Sequence, residues 1–154
     1  MKIKKHQYCR HQSEYEIPFF DVDSMNIMWH GNYVKYLEMA RCEFLAEIGY
    51  TYDVMPQKGY GWPVVQLNIK YIKPSLFRQK IRVELAVVEY ESCFRVDYVI
   101  FDAQTQQKLT TATTTQVAVD IHSKEMQLQT PLCWRNAIEQ HPSFKPLDTS
   151  KEKQ

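Results

Sequence analysis

One helical period in a chain otherwise written in twos constrains this sequence most. Between Tyr33 and Ile48 the apolar residues Tyr33, Tyr36, Leu37, Ala40, Phe44 and Ile48 recur at three- and four-residue intervals, which puts them on one helix face. Lys35, Glu38 and Cys42 fall roughly opposite, and Gly49 follows as a natural left-handed terminator, so the spacing predicts a helix over 31–48. From Trp62 to Asp120 the side chains alternate instead. Val65, Leu67, Ile69 and Tyr71 form one run, Ile81, Val83, Leu85 and Val87 a second, and Phe94, Val96, Tyr98 and Ile100 a third. Leu109 through Val119, with threonines interleaved, is a fourth. An earlier run from about Arg10 to Phe20 sets Tyr15, Ile17 and Phe19 on one side and Glu14 and Glu16 on the other.

A long helix with one apolar stripe and five half-apolar strands can bury those faces only against each other. The connections are short: Lys73–Arg78 reads as a loop and Asp102–Gln107 as a hairpin turn, which favours antiparallel neighbours. These elements predict an α+β fold in which a curved five-stranded sheet wraps the helix. With 154 residues, 44% of them apolar, the chain suits one domain, taken as residues 1–131. A short helix from about Leu132 to Gln140 and a disordered tail over 148–154 complete the expectation. The open edge of such a sheet makes pairing of subunits, as a homodimer or homotetramer, the expected assembly.

Charge and cysteine use exclude several functions. Nineteen Lys and Arg against eighteen Asp and Glu leave a formal net charge of +1, too little for a field that draws in nucleic acid or an anionic membrane. The basic start is followed by no apolar segment, and no run of about eighteen apolar residues follows, so a cytoplasmic protein without a membrane span is expected. Cys9, Cys42, Cys93 and Cys133 form no C-x-x-C pair, and His6, His11, His122 and His141 have no metal-binding spacing. Gly59-Tyr60-Gly61 lacks the third glycine of a dinucleotide loop. No metal and no bound cofactor are expected.

The chemistry concentrates just ahead of the helix. Asp23 sits in a turn shortly before His30, Gly31 and Asn32, where the first helical amides are free to polarise a carbonyl oxygen. A carboxylate facing an oxyanion site suggests acyl chemistry, although most aspartates in this position are only turn or capping residues.

Phe19, Asp21, Asp23, His30, Asn32, Tyr33, Ala40 and Arg41, in that order, together with the later Lys70-Tyr71-Ile72-Lys73-Pro74, resemble the hotdog-fold acyl-CoA thioesterases of the 4-hydroxybenzoyl-CoA thioesterase type. The resemblance spans roughly Glu14 to Pro131. It implies hydrolysis of an acyl-CoA, or an acyl carrier protein thioester, to free acid and thiol, with Asp23 as general base or nucleophile. It also implies oxyanion donors at the His30 and Gly31 main chain, with the His30 ring able to position water or Asp23. Asn26 stands where that family has glycine, and since asparagine tolerates positive φ the turn is expected to be kept.

Trp29 and Trp62 are candidate walls of an acyl pocket, with Asn26 and Asn32 beside it, and the alternative for both tryptophans is ordinary packing. Lys70 and Lys73, within a basic group that includes Arg78, Lys80 and Arg82, are candidates for the phosphates of coenzyme A, and a solvated strand face explains them as well. Asp21 reads as structural, bonding turn amides, and Arg41 and Glu38 as a pair along the helix. The alternative to an enzyme is a non-catalytic hotdog domain that binds acyl-CoA or assembles with partners.

Overall fold

The computed structural model describes residues 5–148; of the tail expected to be disordered, all but Asp148 lies outside the described residues. The elements are β1 (Cys9–Glu16), α1 (Tyr33–Glu47), β2 (Tyr60–Gly61), β3 (Val64–Tyr71), β4 (Lys80–Glu89), β5 (Phe94–Asp102), β6 (Lys108–Gln116), β7 (Val119–Asp120) and α2 (Leu132–Glu139). Five strands make one antiparallel sheet in the order β1-β4-β5-β6-β3, and β2 pairs with β7 in a separate small ribbon. The long helix and the five long strands stand where the two periodicities put them.

Alternation in the sequence becomes sidedness in the sheet. Ile81, Val83, Leu85 and Val87 of β4 and Phe94, Val96, Tyr98 and Ile100 of β5 are all buried, and they share one core with Tyr33, Tyr36, Leu37, Ala40, Phe44 and Leu45 of α1. Burying each large apolar side chain contributes about 1.5–3 kcal/mol, so this seam dominates the stability. The short helix α2 is part of that core: Trp134 packs on Phe94 with ring centroids 4.7 Å apart and on Trp62 at 4.6 Å.

Two boundaries differ from the expectation. The first strand ends at Glu16 rather than near Phe20, because Pro18 has no N–H to offer a sheet and Phe19–Asp21 form a 3-10 turn instead. Phe19 therefore stands 71% exposed instead of facing the core. The helix proper begins at Tyr33, with His30–Asn32 forming a tighter 3-10 turn before it. At the far end Gly49 takes φ 67°, the left-handed conformation that stops a helix.

The sheet's two edges are not equivalent. Along β1 the Arg10 amide donates to Ser143 Oγ at 2.8 Å and the Lys145 amide donates to the Tyr8 carbonyl at 2.8 Å, so the segment after α2 covers that edge. At the other edge β3 is exposed along most of its length, including Val64, Val65, Leu67 and Tyr71.

Arg41 is the one arginine carried into the core by α1. Its guanidinium donates to the hydroxyls of Tyr52 at 3.0 Å and Tyr98 at 3.2 Å and pairs with Glu38, as the helix spacing suggested. Burial works to lower its pKa, but Tyr98, Tyr52 and Glu38 outweigh that and raise it, so the charge is kept.

Candidate active site

The turn ahead of α1 is a tight hairpin. Val22 and Met28 form an antiparallel bridge, the Asp23 amide donates to the Ile27 carbonyl at 2.9 Å, and the Asn26 amide donates to the Asp23 carbonyl at 3.0 Å. Asn26 sits at φ 61°, the conformation for which a glycine was the alternative, so the turn survives the exchange. A second layer of bonds ties this hairpin to the loop before β4. The Met28 amide donates to the Ser75 carbonyl at 2.8 Å, and the Phe77 amide donates to the Asn26 carbonyl at 3.2 Å.

Asp21 and Asp23, two residues apart, have opposite environments. The Asp21 side chain is 3% exposed and accepts hydrogen bonds from Lys35 Nζ and Tyr36 Oη, each at 2.5 Å. That bond to a carboxylate adds to burial in raising the Tyr36 pKa, which keeps the phenol protonated as a donor. Asp21 is structural, but its carboxylate holds α1 and not the turn amides. Its main-chain carbonyl bonds the turn, accepting from the Trp29 amide at 3.0 Å and from Asn32 Nδ2 at 2.8 Å. Asn32 thus locks the start of the helix to the hairpin.

Asp23 is the exposed member of the pair. Its Oδ1 accepts the Met25 amide at 2.8 Å and the Ile27 amide at 3.4 Å, which fixes the carboxylate in the turn. Among the described residues, those hydrogen bonds engage Oδ1 alone. The chain then passes through Met28 and Trp29 to His30 and Gly31, whose amides open the first turn. No carbonyl of the described residues receives either amide, as expected of donors that lack an i−4 partner. The His30 carbonyl accepts from Tyr71 Oη at 3.0 Å, fastening this turn to the end of β3.

A depression of about 210 Å³ lies against this turn, lined by Ile27, Met28, His30, Tyr33, Tyr71, Ile72, Lys73 and Pro74. Tyr33 and Tyr71 meet edge to face in it at 4.9 Å, and Tyr33 Oη accepts the Ser75 amide at 3.1 Å. Of the sequence-predicted residues, His30 and Lys73 line this depression, Lys73 while bonding Gln107 at 3.0 Å, whereas Asp23, Asn26, Trp29, Gly31 and Asn32 lie along the adjoining hairpin and helix start without lining it. Lys70 and Trp62 do not join them. Lys70 is exposed one residue before Tyr71, on the opposite face of β3 by strand alternation. Trp62 is buried, with its ring against Tyr50 and Trp134 and its carbonyl accepting from Gln116 Nε2 at 2.7 Å. Tyr71, which fastens the turn, was visible in the sequence only as a strand residue.

The described residues contain no group of three or more His, Cys, Asp or Glu side chains placed to hold a metal ion, and no helix long and apolar enough to cross a membrane. The geometry offers one fixed carboxylate, two open amides and a small apolar hollow.

Residues 17–146 match the Thioesterase-like superfamily. The protein named "Putative acyl-CoA thioesterase YneP" from Bacillus subtilis (strain 168) is 29% identical over 113 residues, covering 73% of this chain and 81% of that protein. Among solved structures, a DHNA-CoA thioesterase from Staphylococcus aureus aligns with a TM-score of 0.69 and 26% identity over 76% of this chain and 78% of its own. Slr0204, a 1,4-dihydroxy-2-naphthoyl-CoA thioesterase from Synechocystis, aligns with a TM-score of 0.75 and 19% identity over 85% of this chain and 96% of its own. These likenesses bear out the hotdog fold. The chain is therefore a hotdog-fold enzyme that belongs to the Thioesterase-like superfamily.

Proposed function

We propose that this protein hydrolyses an acyl-CoA thioester to free acid and thiol, with Asp23 as the catalytic carboxylate. The observation that supports this reading is the hairpin itself, which fixes Asp23 through Oδ1 and leads directly into the 3-10 turn where the His30 and Gly31 amides have no carbonyl partner among the described residues. A thioester needs an attacking oxygen and a place for the oxyanion, whereas its thiolate leaves without strong acid help. Asp23 supplies the first, either by taking a proton from water or by attacking the acyl carbon to form a mixed anhydride that water then opens. In a single turnover in ¹⁸O-water, label in the Asp23 carboxylate identifies an anhydride opened at the Asp23 carbonyl, because base-assisted attack of water on the thioester puts label in the product acid alone.

The two amides receive the oxygen that gains charge, and donors of this kind are worth roughly 10²–10³ in rate each. Lys73, at the rim of the hollow, is the proposed contact for a phosphate of coenzyme A. Relatives named as acyl-CoA and DHNA-CoA thioesterases support the carrier. The open β3 edge supports a homodimer in which two copies pair along that strand. The test is thiol release from short, long and aromatic acyl-CoAs alongside an acyl carrier protein thioester. Turnover of at least one acyl-CoA by the parent, lost in Asp23→Asn, supports the reading, and binding without thiol release from any of them turns the protein into an acyl-CoA-binding domain.

A further inference from the structure

Gly31 is a glycine for lack of room, and what occupies the room is an indole. Its φ lies outside the left-handed region, so the backbone itself does not ask for glycine. A Cβ built on Gly31 would lie 2.2 Å from Trp29 Cζ3, 2.5 Å from Cη2 and 2.8 Å from Cε3. The six-membered ring of Trp29 therefore rests directly on the Gly31 main chain, where only a hydrogen fits. Trp29 is nevertheless 53% exposed, whereas Trp62 and Trp134 are buried in the core. One surface of the ring is seated and much of the rest is open. The His30 ring adjoins it, with centroids 4.9 Å apart.

A half-exposed indole seated on the Gly31 backbone, next to the His30 ring that lines the hollow, is an aromatic shelf beside it. Large exposed aromatics bury area at low entropic cost, and a π-face attracts another flat ring. From this we infer that Trp29 is a stacking platform for a planar group of the substrate and that Gly31 is the seat that holds it. The inference rests on the thioester reading above and adds a specificity-determining residue to it. A thioester of coenzyme A can bring a flat ring from two sources, an aromatic acyl group or the adenine base.

Four substrates separate the sources: benzoyl-CoA, butanoyl-CoA, and the benzoyl and butanoyl thioesters of N-acetylcysteamine, which carry no nucleotide. Trp29→Leu is expected to raise KM about tenfold wherever stacking is lost, and Trp29→Phe to restore most of it. If the acyl ring stacks, both benzoyl substrates suffer and both butanoyl substrates do not. If adenine stacks, both CoA substrates suffer and both cysteamine substrates do not. An effect below twofold on all four, or an equal loss on all four, overturns the inference. Binding keeps the test independent of turnover: tryptophan emission of the parent should change on adding benzoyl-CoA or free coenzyme A, and that change should vanish in Trp29→Leu. A parent that hydrolyses nothing but shows this change refutes the hydrolytic reading alone, and a parent whose emission does not respond refutes the platform.

Discussion

Asp21→Asn should cost the protein stability, while the same change two residues later should not. In the parent the Asp21 carboxylate, 3% exposed, accepts from Lys35 and Tyr36, each at 2.5 Å. A hydrogen bond to an ionised partner contributes about 1.5–3 kcal/mol. The Lys35 side chain is 43% exposed and can return to water, which discounts its share, whereas the Tyr36 hydroxyl is buried and cannot. A loss of about 3 kcal/mol follows, and with ~2–4 °C per kcal/mol for a chain of this size the Tm should fall by about 6–12 °C. Asp23→Asn keeps an Oδ1 acceptor for the Met25 and Ile27 amides on an exposed turn, so its cost should stay below ~1 kcal/mol. Thermal and urea unfolding of both variants checks the pair, and Tyr36→Phe alone and combined with Asp21→Asn isolates the coupling. Equal Tm losses for the two asparagine variants, or an Asp21→Asn loss of less than roughly 1 kcal/mol, would refute the assignment of a structural and a chemical aspartate.

Glu43 should shape the acid limb of stability. Burial works to raise its pKa, but hydrogen bonds from the Ser13 and Tyr15 hydroxyls and the His11 ring outweigh it and hold the carboxyl below its ordinary value. A folded pKa below the unfolded one gives stability that is present above the unfolded value and lost as pH falls through the folded one, so Glu43→Gln should flatten the acid limb. An unchanged slope below about pH 5 argues against this. For assembly, Leu67→Lys on the open β3 edge should shift a dimer toward monomer in sedimentation, and a variant that stays dimeric at the parent's concentration moves the interface elsewhere.

Much of the fold was legible because its two periods differ. The i, i+3, i+4 stripe from Tyr33 to Phe44 and the alternation in β3 to β6 each admit one element type, and short connections gave the β4-β5-β6 meander, but the short Lys73–Arg78 loop does not make β3 and β4 neighbours: β3 crosses to the far edge and pairs with β6. The misread end of β1 had a signal in Pro18, overridden by the alternation that ran on through Phe19. β2 and β7 are too short to leave a period, and Trp134 gave no sign that α2 completes the core. At the turn, Asn26 was readable because its side chain tolerates positive φ. The contrast in burial between Asp21 and Asp23 was only half readable. Which carboxylate is buried depends on Lys35 and Tyr36 swinging in from the first turns of α1, a tertiary fact that spacing does not carry. For Trp62, offered as either a pocket wall or ordinary packing, its neighbours Tyr50 and Trp134 put the ring in the core, another tertiary fact that spacing does not carry.

The central claim is that Asp23 does the chemistry, and thiol release by purified Asp23→Asn tests it most directly. Removing a general base or carboxylate nucleophile while keeping the turn should lower kcat by at least about 10²-fold on the best acyl-CoA substrate, with the Tm close to the parent's. Turnover at the parent's rate by a folded Asp23→Asn protein would contradict the account.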